Sequence, residues 1–170
     1  MLEFEELGST QDEARRIARD AEEWTVVVAK RQTQGRGKPG SAWYSPEGGL
    51  YFSLVLKPRK NPSDLSPLTL IMAETIVGII RDECALDPGI KLPNDILIGA
   101  KKVCGILTEK TKDALIIGVG LNLNIKKFPA DLNAASLALE CGRTFDGKYF
   151  FNKIIEGFRI AYSKFLFNKV

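Results

Sequence analysis

The sequence predicts an α+β fold, with a mixed, mainly antiparallel sheet flanked by helices. Two observations lead there. Helical and strand patterns are mixed along the chain, and successive strands read as hairpin-like neighbours, which argues against a doubly wound sheet. A third observation bounds the size. With 170 residues and 45% hydrophobic content, the chain suits one domain, residues 1–170, with a real core.

Leu2–Leu7 is a short strand. GSTQDEARRIARDAEE follows, with Ala14, Ile17, Ala18 and Ala21 at helical spacing, so Gly8–Glu23 reads as an amphipathic helix. Thr10 with Glu13 matches a capping box, with Ser9 just ahead of it. Trp24–Lys30 (WTVVVAK) is a buried, β-branched strand, and Leu50–Leu56 (LYFSLVL) is the next. Ser63–Ala85 is a long helix, apolar on most sides and so central, with Pro67 in its first turn, where proline is tolerated. Gly89–Leu92 and Asp95–Ile98 are short extended pieces around Pro93. Lys102–Lys110 and Ala114–Ile125 are strands joined through Lys112-Asp113, and a loop spans Lys126 to about Leu137. Lys148–Leu166 is the last helix, with Phe150, Ile154, Phe158, Tyr162 and Phe165 on one stripe.

Composition removes several classes of function. The net charge of +3 is too weak to argue for nucleic acid but suits a small anionic ligand. No apolar run is long enough to span a membrane, and the acidic N-terminus lacks a signal pattern. Cys84, Cys104 and Cys141 are odd in number and lack a CxxC spacing, so a reducing, cytoplasmic setting fits. There is no His, which excludes Ser-His and Cys-His nucleophile systems.

Three stretches carry chemistry. The loop RQTQGRGKPGSAWYSPEGG, Arg31–Gly49, holds five glycines, two prolines and three positive charges. Glycines let backbone approach a ligand and present N–H groups to an anion, and Arg36, between Gly35 and Gly37, is a fork for phosphate or carboxylate. A solvent-exposed loop with incidental charge is the other open reading. In KLPND, Lys91 precedes a turn carrying Asn94 and Asp95. One reading is an Asn-Asp turn that bonds its own backbone, and the other puts the Lys91 ammonium in a cleft against a phosphate. In LIIGVGLNLNI, Leu115, Ile117, Val119, Leu121 and Leu123 share a core face. Gly118, Gly120, Asn122 and Asn124 share the opposite one, which we read as a ligand floor rather than as space for a packed helix. On the partner strand, Lys102 and Cys104 are expected to share a face. Lys102 is then in reach of an anion, and Cys104 reads as a small buried hydrophobe.

GST (Gly8–Thr10), RQTQGRGKPGSAW (Arg31–Trp43), KLPND (Lys91–Asp95), KVCGIL (Lys102–Leu107) and GVGLNLN (Gly118–Asn124) stand in the order found in biotin protein ligases. From about Phe4 to the final helix, the chain resembles the catalytic domain of that family. The resemblance implies a biotin/lipoate ligase-like, class II synthetase-like fold. It also implies formation of biotinyl-5′-AMP from biotin and ATP with Mg²⁺, then transfer of biotin to a lysine of a carboxylase biotin carrier domain. It places Ser9, Thr10 and Gln32 at the ureido end of biotin, with loop backbone at Gly35. Arg36 and Lys91 become the catalytic cations between the biotin carboxylate and the α-phosphate, with Lys102 assisting. Gly105, Gly118 and Gly120 floor the pocket. Gly37, Lys38, Trp43, Asn94 and Asn122 join the nucleotide side. No metal ligand is assigned.

The family loop reads GRGRxGRxW, so Lys38 and Ser41 stand at arginine positions, and Leu92 stands for the tryptophan of KWPND. The resemblance further implies a homodimer. Because few residues precede the first strand, an N-terminal helix-turn-helix and operator DNA binding are not expected, nor is a C-terminal β-barrel after the last helix. The competing expectations are a lipoate ligase or a lipoyl/octanoyl transferase of the same fold, the transferase using Cys104 as nucleophile, or a non-catalytic biotin or nucleotide binder.

Overall fold

The computed structural model describes residues 1–58 and 66–167. Among these, β1 (Leu2–Leu7), β2 (Val26–Gln32), β3 (Leu50–Leu56), β4 (Pro88–Lys91), β5 (Asp95–Ile98), β6 (Lys101–Lys110) and β7 (Leu115–Leu121) form one sheet in the order β1-β2-β3-β7-β6-β5-β4. Only the β1–β2 pair is parallel. The helices are α1 (Thr10–Ile17), α2 (Ser66–Cys84), α3 (Leu137–Cys141) and α4 (Gly147–Phe167). The mixed, mainly antiparallel sheet expected from the sequence is the one observed.

The two sheet faces are covered unequally, and this creates the site. On one face, Leu68, Met72, Ile76 and Ile80 of α2 and Phe150, Ile154, Phe158 and Tyr162 of α4 are buried. They enclose the main core with Phe52, Leu54, Ile117, Val119 and Leu121. The expected stripe of α4 is the buried one. The opposite face receives only α1. Ala14 and Ala18 pack there with Val27, Val55, Ala114 and Ile116. An eight-residue helix covers one end of the sheet, Ser53 and Gly118 included, and leaves the strands beyond it, at Gly120 and Gly105, without a helical layer among the described residues.

Several boundaries differ from expectation. α1 stops at Ile17 rather than Glu23. Hydrogen-bonded turns continue to Ala21, and Trp24 then takes φ 71° so that its N–H can reach the Val55 carbonyl and bring the chain into β2. Strand pairing therefore ends the helix and also moves the start of β2 to Val26. The N-cap is Ser9, whose hydroxyl accepts from Asp12 N–H at 3.4 Å, rather than Thr10. The expected start of α2 at Ser63, with Asp64 and Leu65, lies outside the described residues, and Pro67 sits in the first turn of the observed helix. β7 ends at Leu121 instead of Ile125: Asn122 N–H makes the last ladder bond, to the Val103 carbonyl, and Lys102 then bonds Asn133 and Ala135 instead. The short helix α3 follows the expected loop and has no counterpart among the elements expected from the sequence. Its signals are the Ser136 cap, which accepts from Leu139 N–H, and Gly142 in the left-handed C-terminal position.

The register of β6 corrects one reading. Pairing with β5 passes from Ile96↔Cys104 to Leu97↔Lys102, so Val103 is the extra residue of a β-bulge. Val103 and Cys104 both enter the core, and Lys102 falls on the side of Gly105 and Leu107. Lys102 and Cys104 therefore do not share a face.

Candidate active site

A cavity of about 190 Å³ lies on the face that α1 leaves open. Its floor follows from register. Ser53 pairs with Gly118 and Gly118 with Leu107. In the next row, Tyr51 pairs with Gly120, Gly120 with Gly105, and Gly105 with Asp95. Three of these positions are glycine for a steric reason. A Cβ on Gly118 would lie 2.4 Å from Gln11 Oε1, one on Gly120 2.3 Å from Trp43 Nε1, and one on Gly105 2.8 Å from the Trp43 ring. The glycine floor thus seats the indole of Trp43 and the amide of Gln11.

One end of the cavity is a closed polar network. Gln32 Oε1 accepts from Thr10 N–H at 2.8 Å and from the Thr10 hydroxyl at 3.1 Å, and Gln32 Nε2 donates to Ser45 Oγ at 2.8 Å. Ser53 Oγ lies 3.0 Å from both Thr10 Oγ1 and Gln11 Oε1, within hydrogen-bond reach of each for its single proton. Ser9, Thr10 and Gln32 come together here as the sequence suggested. Gln11, Ser45 and Ser53 were missed. Ser53 had a signal, as the one polar residue within LYFSLVL.

At the mouth, Arg36 is clamped between two elements. Its Nη1 lies 2.8 Å from Asp12 Oδ1, and its Nη2 lies 3.0 Å from Glu109 Oε1. Glu109 also accepts from Gln11 Nε2 at 2.9 Å and from Arg15 at 2.7 Å. Burial works against the Glu109 charge, but Gln11, Arg15 and Arg36 outweigh it and hold its pKa below the ordinary glutamate value. Burial likewise opposes the Arg36 charge, and Glu109 and Asp12 raise its pKa on balance.

A lowered folded-state pKa fixes the sign of the pH dependence. The contribution of Glu109 is complete above its unfolded pKa and is lost as pH falls through the depressed folded value. Amide hydrogen exchange of residues 35–43, corrected for intrinsic rates, should therefore rise on acidification below the ordinary glutamate range. A Glu109→Gln variant should exchange fast already at neutral pH. An acid-insensitive loop in the unmodified chain would contradict the clamp.

Opposite Arg36, Lys102 Nζ lies 2.8 Å from Asp95 Oδ1 and 5.0 Å from the centre of the Trp43 ring. Gly37, Lys38 and Asn94 also line the cavity. Two expected site residues lie outside the cavity lining. Lys91 pairs with Asp95 in register but stands at the outer end of the floor row on β4, the sheet-edge strand, where it is exposed and outside the lining. The cations of the lining are Arg36, Lys38 and Lys102. Gly35 is buried beneath the loop, where its carbonyl accepts from Trp43 N–H at 2.8 Å, and it does not line the cavity.

A second cavity, of about 250 Å³, adjoins the first across Trp43 and Lys102. Tyr44 and Phe128, with ring centroids 6.2 Å apart, line it with Asn122 and Asn133. Asn122 Nδ2 is committed to the carbonyls of Ala135 at 3.0 Å and Lys102 at 3.3 Å, so this side chain braces the wall. Trp43 Nε1 and Asn94 Oδ1 are buried without a hydrogen-bond partner among the described residues.

Comparison with known proteins agrees with this geometry. Residues 4–124 match the biotin/lipoate A/B protein ligase family. The chain belongs to that family. Within it, the chain is 40% identical over 151 residues to the bifunctional ligase/repressor BirA of Bacillus subtilis, covering 82% of this chain and 46% of that protein. It therefore spans about half the length of the curated relatives it matches. Among solved structures it is similar to the biotin protein ligase of Aquifex aeolicus in complex with biotin and ATP, with a TM-score of 0.89 and 34% identity over 96% of this chain and 70% of that one. The biotin protein ligase of Leishmania major, in complex with biotinyl-5-AMP, gives a TM-score of 0.82 and 28% identity over 95% of this chain and 74% of that one. Ligase-family membership thus accounts for the motif order, the sheet and the cleft together.

Proposed function

We propose that this chain carries the catalytic centre of an ATP-dependent, AMP-forming biotin protein ligase, which makes biotinyl-5′-AMP and passes biotin to a lysine of a carboxylase carrier domain. The supporting observation is one cavity that joins a polar end (Ser9, Thr10, Gln32), a glycine floor and two opposed cations, Arg36 and Lys102. Biotin occupies the central cavity with its ureido ring at the polar end. The nucleotide extends past Trp43 into the aromatic cavity. A carboxylate and a triphosphate repel as they meet, and Arg36 and Lys102 reduce that cost where charge is greatest. Trp43 and the loop around it exclude water, which would hydrolyse the mixed anhydride.

The second cationic role, expected at Lys91, is assigned to Lys102. Mg²⁺ is placed with the nucleotide phosphates, where it supplies charge neutralisation. Among the described residues no cluster of three or more His, Cys, Asp or Glu forms a protein cage, and Mg²⁺ commonly binds through phosphates and at most a carboxylate or two. Asp95 is the carboxylate lining the cavity. No helix among the described residues is long and apolar enough to cross a membrane, and three free cysteines support a reducing, cytoplasmic setting. A homodimer is part of the same proposal, tested by light scattering with and without biotin and ATP.

The deciding experiment is exchange of radiolabelled pyrophosphate into ATP. Exchange that requires biotin supports the reading, and exchange only with lipoate or octanoate overturns it. A thiol route is disfavoured because Cys104 is fully buried in the core, where burial pushes its thiol pKa up. Cys104→Ala should leave the exchange rate and carrier biotinylation unchanged while costing about 1 kcal/mol of stability in a denaturant melt. A lost transfer activity would restore the thiol.

A further inference from the structure

Three spaces meet at the site. Beyond Lys38 and Asn94, on the side away from the aromatic cavity, a shallow groove of about 300 Å³ is lined by Ser66, Thr69, Pro93, Leu107 and Thr108. It shares Lys38, Asn94, Ile106 and Leu107 with the central cavity, so it adjoins the site across these residues. With biotin in the central cavity and the nucleotide in the aromatic one, this groove offers an approach toward the acyl carbon from the third side. We infer that the groove takes the side chain of the acceptor lysine. The inference rests on the ligase reading.

The lining suits that side chain. Pro93, Leu107 and the threonine methyl groups offer apolar surface to a four-carbon stem. Thr69 Oγ1 donates to Thr108 Oγ1 at 2.8 Å, so these hydroxyls tie each other along the wall. At the inner end stands Asn94, only 8% exposed. Its Nδ2 donates to the Ile106 carbonyl at 2.9 Å, which fixes the amide plane and leaves Oδ1 buried without a partner. A buried carbonyl left so is unfavourable, and a donor N–H relieves it. The reacting groups of the first step, a carboxylate and a phosphate, bring no N–H, whereas an amine does. Lys38, lining both spaces, disfavours a second ammonium beside it and so favours the neutral amine that must attack.

The step balances within the site. Nζ of the neutral lysine attacks the acyl carbon of biotinyl-5′-AMP, and a C–N bond forms. The C–O bond to phosphate breaks, and AMP leaves with the electron pair. The proton lost from nitrogen is balanced on the departing phosphate. Asn94 Oδ1, accepting one amine N–H, aims the nitrogen lone pair at the acyl carbon.

The test fills the groove and leaves the other two spaces untouched, using Ser66→Trp at the exposed rim and Thr108→Tyr on the strand. Three rates are read on the whole chain: biotin-dependent pyrophosphate exchange, biotinyl hydroxamate formation with hydroxylamine, and biotin transfer to a purified carrier domain. Hydroxylamine is small enough to need no groove. Exchange and hydroxamate formation should stay within about twofold of the parent, while carrier transfer falls about a hundredfold, the scale of a misplaced reactant. A folded variant that transfers at the parent rate overturns the inference, and so does one that loses exchange in parallel. No exchange in the parent chain overturns the ligase reading instead. A second measurement needs no variant of this chain. A carrier domain with a photoreactive residue at its acceptor position should crosslink to the groove residues. Crosslinks confined elsewhere overturn the inference even if both variants fail to fold.

Discussion

Alanine at position 36 lowers biotin-dependent pyrophosphate exchange about a hundredfold or more, the cost of removing one preorganised donor to developing charge, and barely moves the melting temperature. The two halves of that expectation have different causes. Among the described residues the Arg36 guanidinium pairs with two carboxylates, Asp12 and Glu109, and its side chain is 32% exposed. Ion pairs at that exposure contribute about 0–1 kcal/mol to stability. Against two converging anions the same guanidinium acts in a more enclosed setting, where its charge has no competing solvent. Arg36→Lys separates charge from geometry. An ammonium keeps the charge but loses the fork that spans Asp12 and Glu109, so its rate should fall between those of the parent and the alanine variant. Exchange in Arg36→Ala at the parent rate would remove the loop from the chemistry.

The same arginine shows what was legible in the sequence. A glycine on either side marked it as a ligand contact, and the alternation of β7 marked Gly118 and Gly120 as a floor, because both signals are local. What the sequence hid depends on register. Nothing in KVCGILTEK shows that a bulge at Val103 sends Lys102 to the cavity and Cys104 to the core. Nor does spacing show that Glu109, in line with Gly105 and Leu107, meets Arg36 and Gln11 from two other elements. Lys91 lies outside the cavity lining for a related reason. Its motif is continuous with Asn94 and Asp95, but only those two face inward from β5 and the turn before it. Pairing at the sheet edge leaves Lys91 at the rim. The fold was easier to read than the site, since β-branched runs and the aromatic stripe of α4 recur along one segment at a time. Helix ends were harder. The chain leaves α1 where β2 has to begin, and that constraint lies on Val55, far along the sequence.

Gly120→Ala should abolish most activity, about a hundredfold in exchange rate, while Gly118→Ala costs several-fold less. Both add one methyl group to the same floor, so the difference lies in what each methyl meets. At Gly118 the obstacle is Gln11 Oε1, at 2.4 Å, the far end of a flexible side chain that can change rotamer. At Gly120 the obstacles are three atoms of the Trp43 ring, Nε1 at 2.3 Å, Cε2 at 2.5 Å and Cδ1 at 3.0 Å. A rigid indole has no end to swing away. It moves only with its backbone, and that backbone is bonded to Gly35 beneath the loop. Trp43 also forms part of the wall between the two cavities, so its displacement disturbs both together, the biotin and nucleotide sides on the proposed function. Titration calorimetry should show both ligands weakened in Gly120→Ala. Thermal melts of the two variants should differ by far less than their rates. Equal rates for the two substitutions would mean that the indole does not rest on Gly120 when the enzyme turns over.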